Sequence, residues 1–354
     1  MKQLYSDLKF LGFADHLAAL RAGRVVAPVH VRIKPTNRCN HDCWYCAYKA
    51  GGLQLGEEMA EVDTIPLPKM EEIVDDLVAM GVRAVTFSGG GEPLLYKPLP
   101  EIVERLARGG VKVAAISNGS NLKGRVAEAF LRYGTWVRVS CDGWDDASYG
   151  KARGIGDRAF SQLLRNMRDF TGRGSSCLLG VSFIVTPDNH EHLAEACALF
   201  KGVGASHVKV SSVVVDNDGR ANDRYHEGIR ERVRAEIECA RGLDDDRFVV
   251  IDHYHGMGER FHKSYTTCPF LQFLTVIGAD CRVYSCQDKA YTERGLLGSI
   301  RERSFRDFWF SEENRARIYG LDPSRVCGHH CATHKKNLSI FNVLNIDPDH
   351  GVFV

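Results

Sequence analysis

The sequence predicts an α/β fold, a partial (β/α)6 TIM-like barrel, on three observations. Between residues 29 and 212, short apolar runs that alternate with period two are each followed by a segment whose apolar residues recur every three or four positions. Six such strand–helix units in succession indicate a parallel sheet with right-handed crossovers. Small and polar residues follow the first four strands, at the carboxyl edge where parallel sheets carry their chemistry.

The first unit pairs the strand VHVRIK, which starts at residue 29, with a helix around 70–78. Pro68 lies near the start of this helix and Gly81 follows its end, as expected for these residue types. The later predicted strands are VRAVTF at 82, VKVAAI at 111, TWVRVS at 135, LGVSFIV at 179 and HVKVSS at 207. The later predicted helices span 100–108, 122–132, 157–172 and 190–201.

The pattern changes after about residue 215. NDGRANDR (217–224) predicts a polar loop, 226–242 predicts a charged helix with a solvated face, and FVVID (248–252) predicts a further strand. The predicted regions are an N-terminal extension (1–28), the barrel (29–215), a connecting helix and strand region (216–264), and a smaller C-terminal domain with a tail (265–354).

Charge and hydropathy exclude several classes of partner. The chain has 46 Lys and Arg against 45 Asp and Glu, so its net charge is too small to attract nucleic acid or an anionic membrane. No stretch reaches the roughly 18 apolar residues of a membrane span, and the N-terminus lacks the apolar region of a signal peptide. We therefore expect a cytoplasmic protein without nucleic-acid or membrane partners.

The twelve cysteines are distributed unevenly, with three close together near the N-terminal end and five within 268–331. In a reducing compartment this clustering favours metal ligation over disulfides. Cys39, Cys43 and Cys46 form C-x3-C-x2-C in the loop after the first strand. Three thiolates on a [4Fe–4S] cluster leave one iron open to a ligand that is not protein. The alternative is a structural zinc site with a further ligand such as His41.

The second strand ends in SGGGEP (88–93), where glycines let the backbone approach a ligand closely. The cysteine motif, with Tyr45 before its last cysteine, together with Gly90-Gly91-Glu92-Pro93 resembles the radical S-adenosylmethionine (SAM) superfamily over 29–212. The resemblance implies that the three cysteines hold a [4Fe–4S] cluster whose open iron binds SAM exchangeably, and that reduction releases a 5′-deoxyadenosyl radical. It also implies that the GGEP segment holds the SAM amino group.

Further SAM contacts follow from the same resemblance. Asn118 and Ser140, at the ends of the third and fourth strands, are candidates for contacts to the SAM ribose and carboxylate. Arg153 is a candidate partner of the SAM carboxylate, since a guanidinium binds that group with two hydrogen bonds. The alternative for Arg153 is an exposed arginine on a helix.

The C-terminal cysteines resemble the SPASM/twitch extension of radical SAM enzymes, with Gly298-Ser299-Ile300 and Trp309 as further matching features. The resemblance implies one auxiliary [4Fe–4S] cluster, as in the twitch type. Its expected ligands are Cys268, Cys286, Cys327 and Cys331. A zinc site is the alternative, formed by Cys327, His329, His330 and Cys331.

Cys281 stands where the resemblance expects glycine, five residues before Cys286. It is interpreted as a spare ligand, a bystander, or a thiol that gives a hydrogen atom to a substrate radical. Cys141, after the fourth strand, is the rival donor. Hydrogen return from a thiol gives epimerisation, whereas electron loss to the auxiliary cluster gives oxidation; both outcomes remain open.

The resemblance favours a polar carbohydrate-type substrate (a sugar, sugar nucleotide or cyclitol), because the chain is similar to bacterial sugar- and cyclitol-modifying members. About 28 residues precede the first strand, too few for a separate peptide-docking domain. The alternatives are a peptide or protein modifier of the sulfatase-maturing type and a non-catalytic iron–sulfur protein. The resemblance further implies a reductant such as flavodoxin or ferredoxin. Polar candidates for substrate contact are His253, Tyr254, His255, Gln287, Asp288 and Lys289.

Overall fold

The computed structural model describes residues 4–53, 55–347 and 349–353. The strands are β1 His30–Ile33, β2 Ala84–Phe87, β3 Lys112–Ser117, β4 Gly134–Ser140, β5 Leu178–Val185, β6 His207–Ser212, β7 Val249–Asp252, β8 Leu274–Ile277, β9 Arg282–Tyr284 and β10 Leu296–Ser299. They form one sheet in the order β10-β9-β8-β1-β2-β3-β4-β5-β6-β7.

Parallel pairing runs from β8 through β1 to β7, and the pairs β8–β9 and β9–β10 are antiparallel. This arrangement confirms the predicted α/β partial barrel with its six central strands, β1 to β6. The strand predicted at 248–252 is β7, which extends the parallel sheet by one position. The strand β8 extends the sheet on the opposite side, next to β1, so the C-terminal region continues the sheet of the barrel.

Alternation along each strand separates two faces of the sheet. Val31 and Ile33 of β1 are fully buried in the hydrophobic core, as are Val137 and Val139 of β4. The residues between them, such as Arg32, face the opposite side and line a cavity inside the barrel. The interior is therefore polar, unlike the usual barrel interior filled by Val, Ile and Leu.

Most of the helices pack apolar residues into the core on the outer face of the sheet. They are α1 Ala14–Arg21, α2 Leu67–Ala79, α3 Leu99–Arg108, α4 Gly124–Tyr133, α5 Asp146–Arg153, α6 Ala159–Thr171, α7 Leu193–Gly202, α8 Gly219–Glu227, α9 Arg230–Arg241, α10 Phe305–Trp309, α11 Glu312–Gly320, α12 Pro323–Val326 and α13 His334–Leu344. Met70, Ile73, Val74 and Leu77 of α2 are fully buried, which confirms the periodicity that predicted this helix.

The predicted polar loop at 217–224 is wrong, because α8 occupies this segment. Asp218 caps the helix by accepting hydrogen bonds from the backbone N–H groups of Arg220 and Ala221. Asn222 and His226 are buried, and His226 is hydrogen-bonded to the Val213 carbonyl at 2.9 Å. Polar contacts stabilise α8 in place of an apolar face, so apolar periodicity does not reveal it.

The helix α5 is also absent from the prediction, although the sequence carries its signals. Asp145 and Ser148 form a capping box at its start, and Gly154 ends it in the left-handed conformation at φ 59°. The helix matters for the site because Arg153 is its last residue.

The N-terminal segment packs against the C-terminal region. Phe10 and Leu17 form a small hydrophobic cluster with Phe273 and Ile340. Tyr5 reaches the barrel interior, where its hydroxyl accepts a hydrogen bond from Arg138 Nη1 at 2.9 Å. Among the described residues no helix is long and apolar enough to cross a membrane.

Candidate active site

One cavity of about 810 Å³ collects most of the residues singled out in the sequence. Its lining includes the predicted cluster ligands and SAM contacts Cys39, Cys43, Tyr45, Cys46, Gly90, Gly91, Glu92, Asn118, Ser140, Arg153 and Cys286. Residues from the N-terminal segment, from the barrel interior and from α13 complete the wall. The cavity thus joins the two regions that the sequence predicted as separate cysteine sites.

The first three thiols lie in the loop after β1 and are partly exposed to the cavity. Local hydrogen bonds order the loop: Cys46 N–H donates to the Cys43 carbonyl at 3.0 Å, and Asp42 N–H donates to the Arg153 carbonyl at 2.9 Å. Burial raises the pKa of Cys39 and of Cys43, and the nearby Arg153 charge opposes this rise at Cys43. Iron binding favours the thiolate forms, so this donor set fits the predicted [4Fe–4S] cluster.

The glycine loop after β2 packs directly on the cysteine loop. A Cβ atom on Gly90 would lie 1.9 Å from Asn37 Oδ1, and one on Gly91 would lie 2.1 Å from the Arg38 carbonyl oxygen. Asn37 is itself fixed, because its amide donates to the Ala60 carbonyl at 2.9 Å. Close approach of the two loops therefore requires glycine at both positions.

The Glu92 carboxylate connects the glycine loop to the end of β3. It accepts hydrogen bonds from Leu94 N–H at 2.9 Å, Ser117 Oγ at 2.7 Å and Asn118 N–H at 2.7 Å. Burial raises the pKa of Glu92, and these hydrogen bonds oppose the rise. Glu92 lines the cavity, and its position is fixed before any ligand binds.

Asn118 connects β3 to the cysteine loop, since its side-chain amide donates to Asn40 Oδ1 at 2.9 Å. Its side-chain oxygen Oδ1 accepts a hydrogen bond from Ser120 Oγ at 2.7 Å. Ser140 ends β4 and also faces the cavity. The strand ends therefore lie beside the cysteine loop, as the parallel sheet requires.

Arg153 is buried and forms an ion pair with Asp142, with a distance of 2.6 Å from Nη2 to Oδ2. Arg153 Nη1 lies 3.6 Å from the Cys43 sulfur, and the Tyr45 hydroxyl donates to Asp142. Asp142 Oδ1 also accepts from Ile184 N–H at 2.8 Å. The exposed-helix alternative for Arg153 is therefore wrong. The sequence analysis did not identify Asp142, although it stands in the same strand-end segment as Cys141.

The four C-terminal thiols predicted to hold the auxiliary cluster lie within electrostatic range of one another. Burial raises the pKa of Cys286 well above its usual value, and the charges of Cys331, Cys268 and Cys327 add to the rise. Cys268 lies beside Asn337, whose Nδ2 is 3.6 Å from the sulfur. These four thiols fit a second iron–sulfur cluster, because bound iron would offset the energetic cost of holding buried thiolates close to one another.

Cationic and polar groups surround these thiols. The thiolate charges of Cys331 and Cys327 favour the charged form of Lys263 and oppose the lowering of its pKa by burial. The charges of Cys327 and Cys286 have the same effect on Lys289. The Asp288 carboxylate accepts a hydrogen bond from Ala332 N–H at 2.7 Å. In the part of the chain that the structure describes, no three His, Cys, Asp or Glu side chains are arranged to hold a single metal ion.

The two candidate hydrogen donors do not line the cavity. Cys281 lies in the turn between β8 and β9, with φ +57°, and its side chain belongs to the hydrophobic core. Cys141 is completely buried, and burial raises its pKa to about 12. Both placements match the bystander interpretation, and the donor role of either thiol remains a prediction.

Three inward-facing cations were missed by the sequence analysis. Arg32 on β1, Arg138 on β4 and Lys209 on β6 all line the cavity. The sequence contains a signal for them, because each stands between two apolar residues in its predicted strand. Of the polar candidates proposed for substrate contact, His253, His255, Gln287 and Asp288 line the cavity, whereas Tyr254 and Lys289 do not.

The cavity brings together a three-cysteine loop, a glycine loop and Cys286 from the C-terminal region. Residues 33–200 match the family model described as the Radical SAM superfamily. The match leaves the reaction and the substrate open.

The curated relatives differ in how much of the chain they match. A GTP 3′,8-cyclase of Synechococcus elongatus is 34% identical over 34% of this chain and 36% of its own length. A PqqA peptide cyclase of Xanthomonas euvesicatoria is 27% identical over 83% of this chain and 77% of its own length. The matched segments span between 22% and 37% of the lengths of the first four relatives.

Solved structures share the fold at low sequence identity. Streptococcus suis SuiB, in complex with the precursor peptide SuiA, superimposes with a TM-score of 0.61 at 15% identity. The alignment covers 94% of this chain and 78% of SuiB. The barrel and the C-terminal region therefore occur together in a solved structure, which supports the fold and leaves the substrate open.

Proposed function

We propose that this chain oxidises its substrate by radical SAM chemistry, with one cluster at Cys39, Cys43 and Cys46 and an auxiliary cluster at the four C-terminal cysteines. The observation that carries the proposal is that the three thiols and Cys286 line the same cavity. When bound, the first cluster and SAM supply a 5′-deoxyadenosyl radical that removes hydrogen from a C–H bond. A substrate bound in this cavity therefore lies next to the three-cysteine loop and next to Cys286 of the auxiliary site.

The residues of this chain orient SAM. The glycine loop offers backbone N–H and C=O groups beside the cysteine loop, and the contacts of Glu92 and Asn118 hold this loop in place. Ser140 and Arg153 present polar groups to the same space. Arg153 keeps a buried Nε without a partner, which is available to a SAM carboxylate.

Oxidation accounts for the site better than epimerisation. With SAM and both clusters bound, oxidation would remove two hydrogen atoms from the substrate, one as a hydrogen atom and one as a proton and an electron, and the four C-terminal cysteines would hold the group that accepts the electron. Cys286 borders the cavity on the auxiliary side. Epimerisation instead needs a donor thiol at the substrate, and neither Cys281 nor Cys141 lines the cavity.

A peptide is the first candidate substrate. The PqqA peptide cyclase, named for a peptide substrate, aligns over 83% of this chain. The SuiB complex carries a precursor peptide on the same fold. These relatives support the peptide-modifying alternative more than the carbohydrate-type substrate expected from the sequence.

A small anionic molecule, such as a sugar nucleotide, is the second candidate. The specific observation in its favour is the basic cavity wall, which Arg32, Arg138 and Lys209 contribute from three strands. A phosphorylated sugar supplies the complementary charge.

Anaerobically reconstituted, reduced protein tests the proposal. We expect about eight irons per chain, for two [4Fe–4S] clusters, and 5′-deoxyadenosine formation from SAM. Cys46→Ala is expected to lose the iron of one cluster and all SAM cleavage, whereas Cys239→Ala, at an exposed cysteine, is expected to change neither. Wild-type protein that cleaves no SAM with any acidic peptide or nucleotide sugar would refute the proposal. Mass spectrometry of the products then separates the two substrate classes.

A further inference from the structure

We propose that the inner wall of the barrel binds an acidic group of the substrate, a carboxylate or a phosphate, through Arg32, Arg138 and Lys209. The inference rests on the proposed function and adds the chemical class of the substrate. The three side chains come from β1, β4 and β6, and all line the one cavity that also contains the cluster thiols.

None of the three cations forms an ion pair within the described part of the chain. Among the described residues, Arg32 makes no side-chain hydrogen bond or ion pair, and its Nε is buried and unpartnered. Arg138 has a buried, unpartnered Nε as well, and its Nη1 donates to the Tyr5 hydroxyl at 2.9 Å. Lys209 likewise makes no side-chain hydrogen bond or ion pair with the described part of the chain. Buried donors are normally satisfied, so the two unpartnered Nε atoms and the unpaired Lys209 in one wall point to an acceptor on a ligand.

The acidic side chains that line the same cavity have other partners, and of these acids Asp288 also exerts its charge on Arg32. Glu92 accepts three hydrogen bonds from its own loop and from β3. Asp252 pairs with His255 at 2.6 Å, and Asp288 accepts from Ala332 N–H at 2.7 Å. The negative charge of Asp7, in the N-terminal segment, favours the charged form of Lys336 in α13. The wall therefore keeps an excess of positive charge.

Three other cations of the cavity have defined partners, and Arg260 adds a further positive charge to the lining. Lys34 donates to the Tyr48 hydroxyl at 2.6 Å and to the Gly89 carbonyl. Lys335 pairs with Glu259 at 3.0 Å, and Arg153 pairs with Asp142. These three cations hold the protein together, whereas Arg32, Arg138 and Lys209 are available to a ligand.

Burial of these cations and their mutual repulsion support the same conclusion, because both lower the pKa values of Lys209 and Arg32. Burial lowers the pKa of Lys209 to about 7, and the charges of Arg138, Arg260 and Arg32 add to the decrease. Burial also lowers the pKa of Arg32 to about 10, with a further decrease from Arg138. A bound carboxylate or phosphate offsets this repulsion and forms charge-assisted hydrogen bonds to both guanidinium groups.

The test measures binding of two probes, inorganic phosphate and succinate, to SAM-loaded, oxidised holoenzyme by calorimetry. SAM fills its own carboxylate site, so the probes report the remaining one. We expect at least one probe to bind. Arg32→Gln, Arg138→Gln and Lys209→Gln are each expected to weaken it by roughly tenfold or more, since each removes a charged donor. Preference for phosphate indicates a phosphorylated substrate, and preference for succinate indicates an acidic side chain.

Arg83→Gln and Lys112→Gln are the matched controls, because both residues are exposed and lie outside the cavity. Both are expected to bind the probe as the wild type does. Lys209→Arg keeps the charge and is expected to retain binding, which a purely structural role of Lys209 does not predict. Iron content and SAM binding of every variant are measured in parallel, and only variants that keep both are compared.

The proposal is overturned if neither probe binds, or if the three variants bind as tightly as the controls; the cations then serve only to balance cluster charge. Loss of 5′-deoxyadenosine formation from wild-type protein with intact probe binding refutes the proposed function and leaves the anion site standing. The two failures are therefore distinguishable.

Discussion

Gly91 has no room for a side chain, because a Cβ atom would lie 2.1 Å from the Arg38 carbonyl oxygen and 2.4 Å from the Asn37 carbonyl carbon. Both are backbone atoms and cannot move aside cheaply. Gly91→Ala is therefore expected to displace the cysteine loop and to destabilise the protein by about 1–3 kcal/mol. Iron analysis and SAM cleavage should both show a loss.

Gly51→Ala is the control for Gly91→Ala, since Gly51 follows the cysteine motif and nothing lies within 4 Å of its Cβ position. This variant is expected to keep its iron and its activity. An active, fully loaded Gly91→Ala protein would show that the close approach of the two loops is not required.

Asp142 and Arg153 form a buried pair beside Cys43, with exposed side-chain fractions of 1% and 5%. Asp142→Asn preserves the shape but leaves the Arg153 charge without its partner. Removing one member of a buried ion pair typically costs about 3–5 kcal/mol, so we expect a loss of that order in the free energy of unfolding. Urea unfolding measures it, and a change below about 1 kcal/mol would contradict this account.

At the residue scale, the sequence marks the cysteines of the predicted clusters more clearly than the residues that support them. Cys39, Cys43 and Cys46 are recognisable because spacing along one loop limits the distance between their thiols. Asp142 is not, since its partners, Arg153 and the Ile184 N–H group, lie on other elements of the fold. No local pattern states which partner a charged residue in a strand meets.

The hairpin of β8 and β9 holds two cysteines in different environments. Cys281 occupies the turn at φ +57° and packs in the core, whereas Cys286 follows β9 at the cavity. Cys281→Gly is expected to keep the iron content and SAM cleavage and to change the free energy of unfolding by less than about 1 kcal/mol, because relief of the unfavourable φ offsets the loss of the buried side chain. Thermal unfolding and iron analysis provide the measurements.

Cys286→Ser is the contrasting variant in the same hairpin and is expected to lose the iron of the auxiliary cluster. The assignment of Cys281 as a bystander is wrong if Cys281→Gly instead loses iron, which identifies a ligand. It is equally wrong if SAM cleavage persists while product formation stops, which identifies a hydrogen donor.

At the element scale, the sequence predicts elements with an apolar face and misses those held by polar contacts. The strands β1 to β7 and the helix α2 are recognisable because burial on one side imposes periods of two or of three to four residues. The helix α8 lacks such a face and depends on its cap at Asp218 and on the buried His226. Its segment therefore resembles a loop in composition.

The barrel interior connects stability to pH across the whole molecule. Burial lowers the pKa of Lys209 and of Lys34 to about 7 each, below the ordinary lysine value of 10.5. Between these values the unfolded chain binds more protons than the folded one, so stability rises with pH from about 7 to about 10.5. The destabilisation by these buried lysines is fully present below about pH 7, and it is absent above about pH 10.5, the pKa of lysine in the unfolded chain.

Lys209→Met removes one of these charges and is expected to stabilise the apoprotein more at pH 7 than at pH 10. The upper limit of the gain is about 5 kcal/mol, since one pKa unit corresponds to 1.36 kcal/mol. Lys112→Met, at an exposed position of β3, serves as the control and is expected to leave the pH profile unchanged. Parallel pH profiles for wild type and Lys209→Met would contradict a buried, charged Lys209.

The single sheet makes the C-terminal region part of the barrel, because β8 pairs in parallel with β1 along its whole length, from His30 opposite Leu274 to Ile33 opposite Ile277. The sequence predicted a domain boundary near 265, where the spacing of cysteines changes. Truncation after residue 264 would remove β8, expose the edge of β1 and leave Phe10 and Leu17 without Phe273 and Ile340. We therefore expect the 1–264 fragment to aggregate or to lack a cooperative unfolding transition, as unpaired apolar edges do. A soluble fragment with a sharp calorimetric transition would instead establish 265 as a true domain boundary and the sheet continuity as a docking contact.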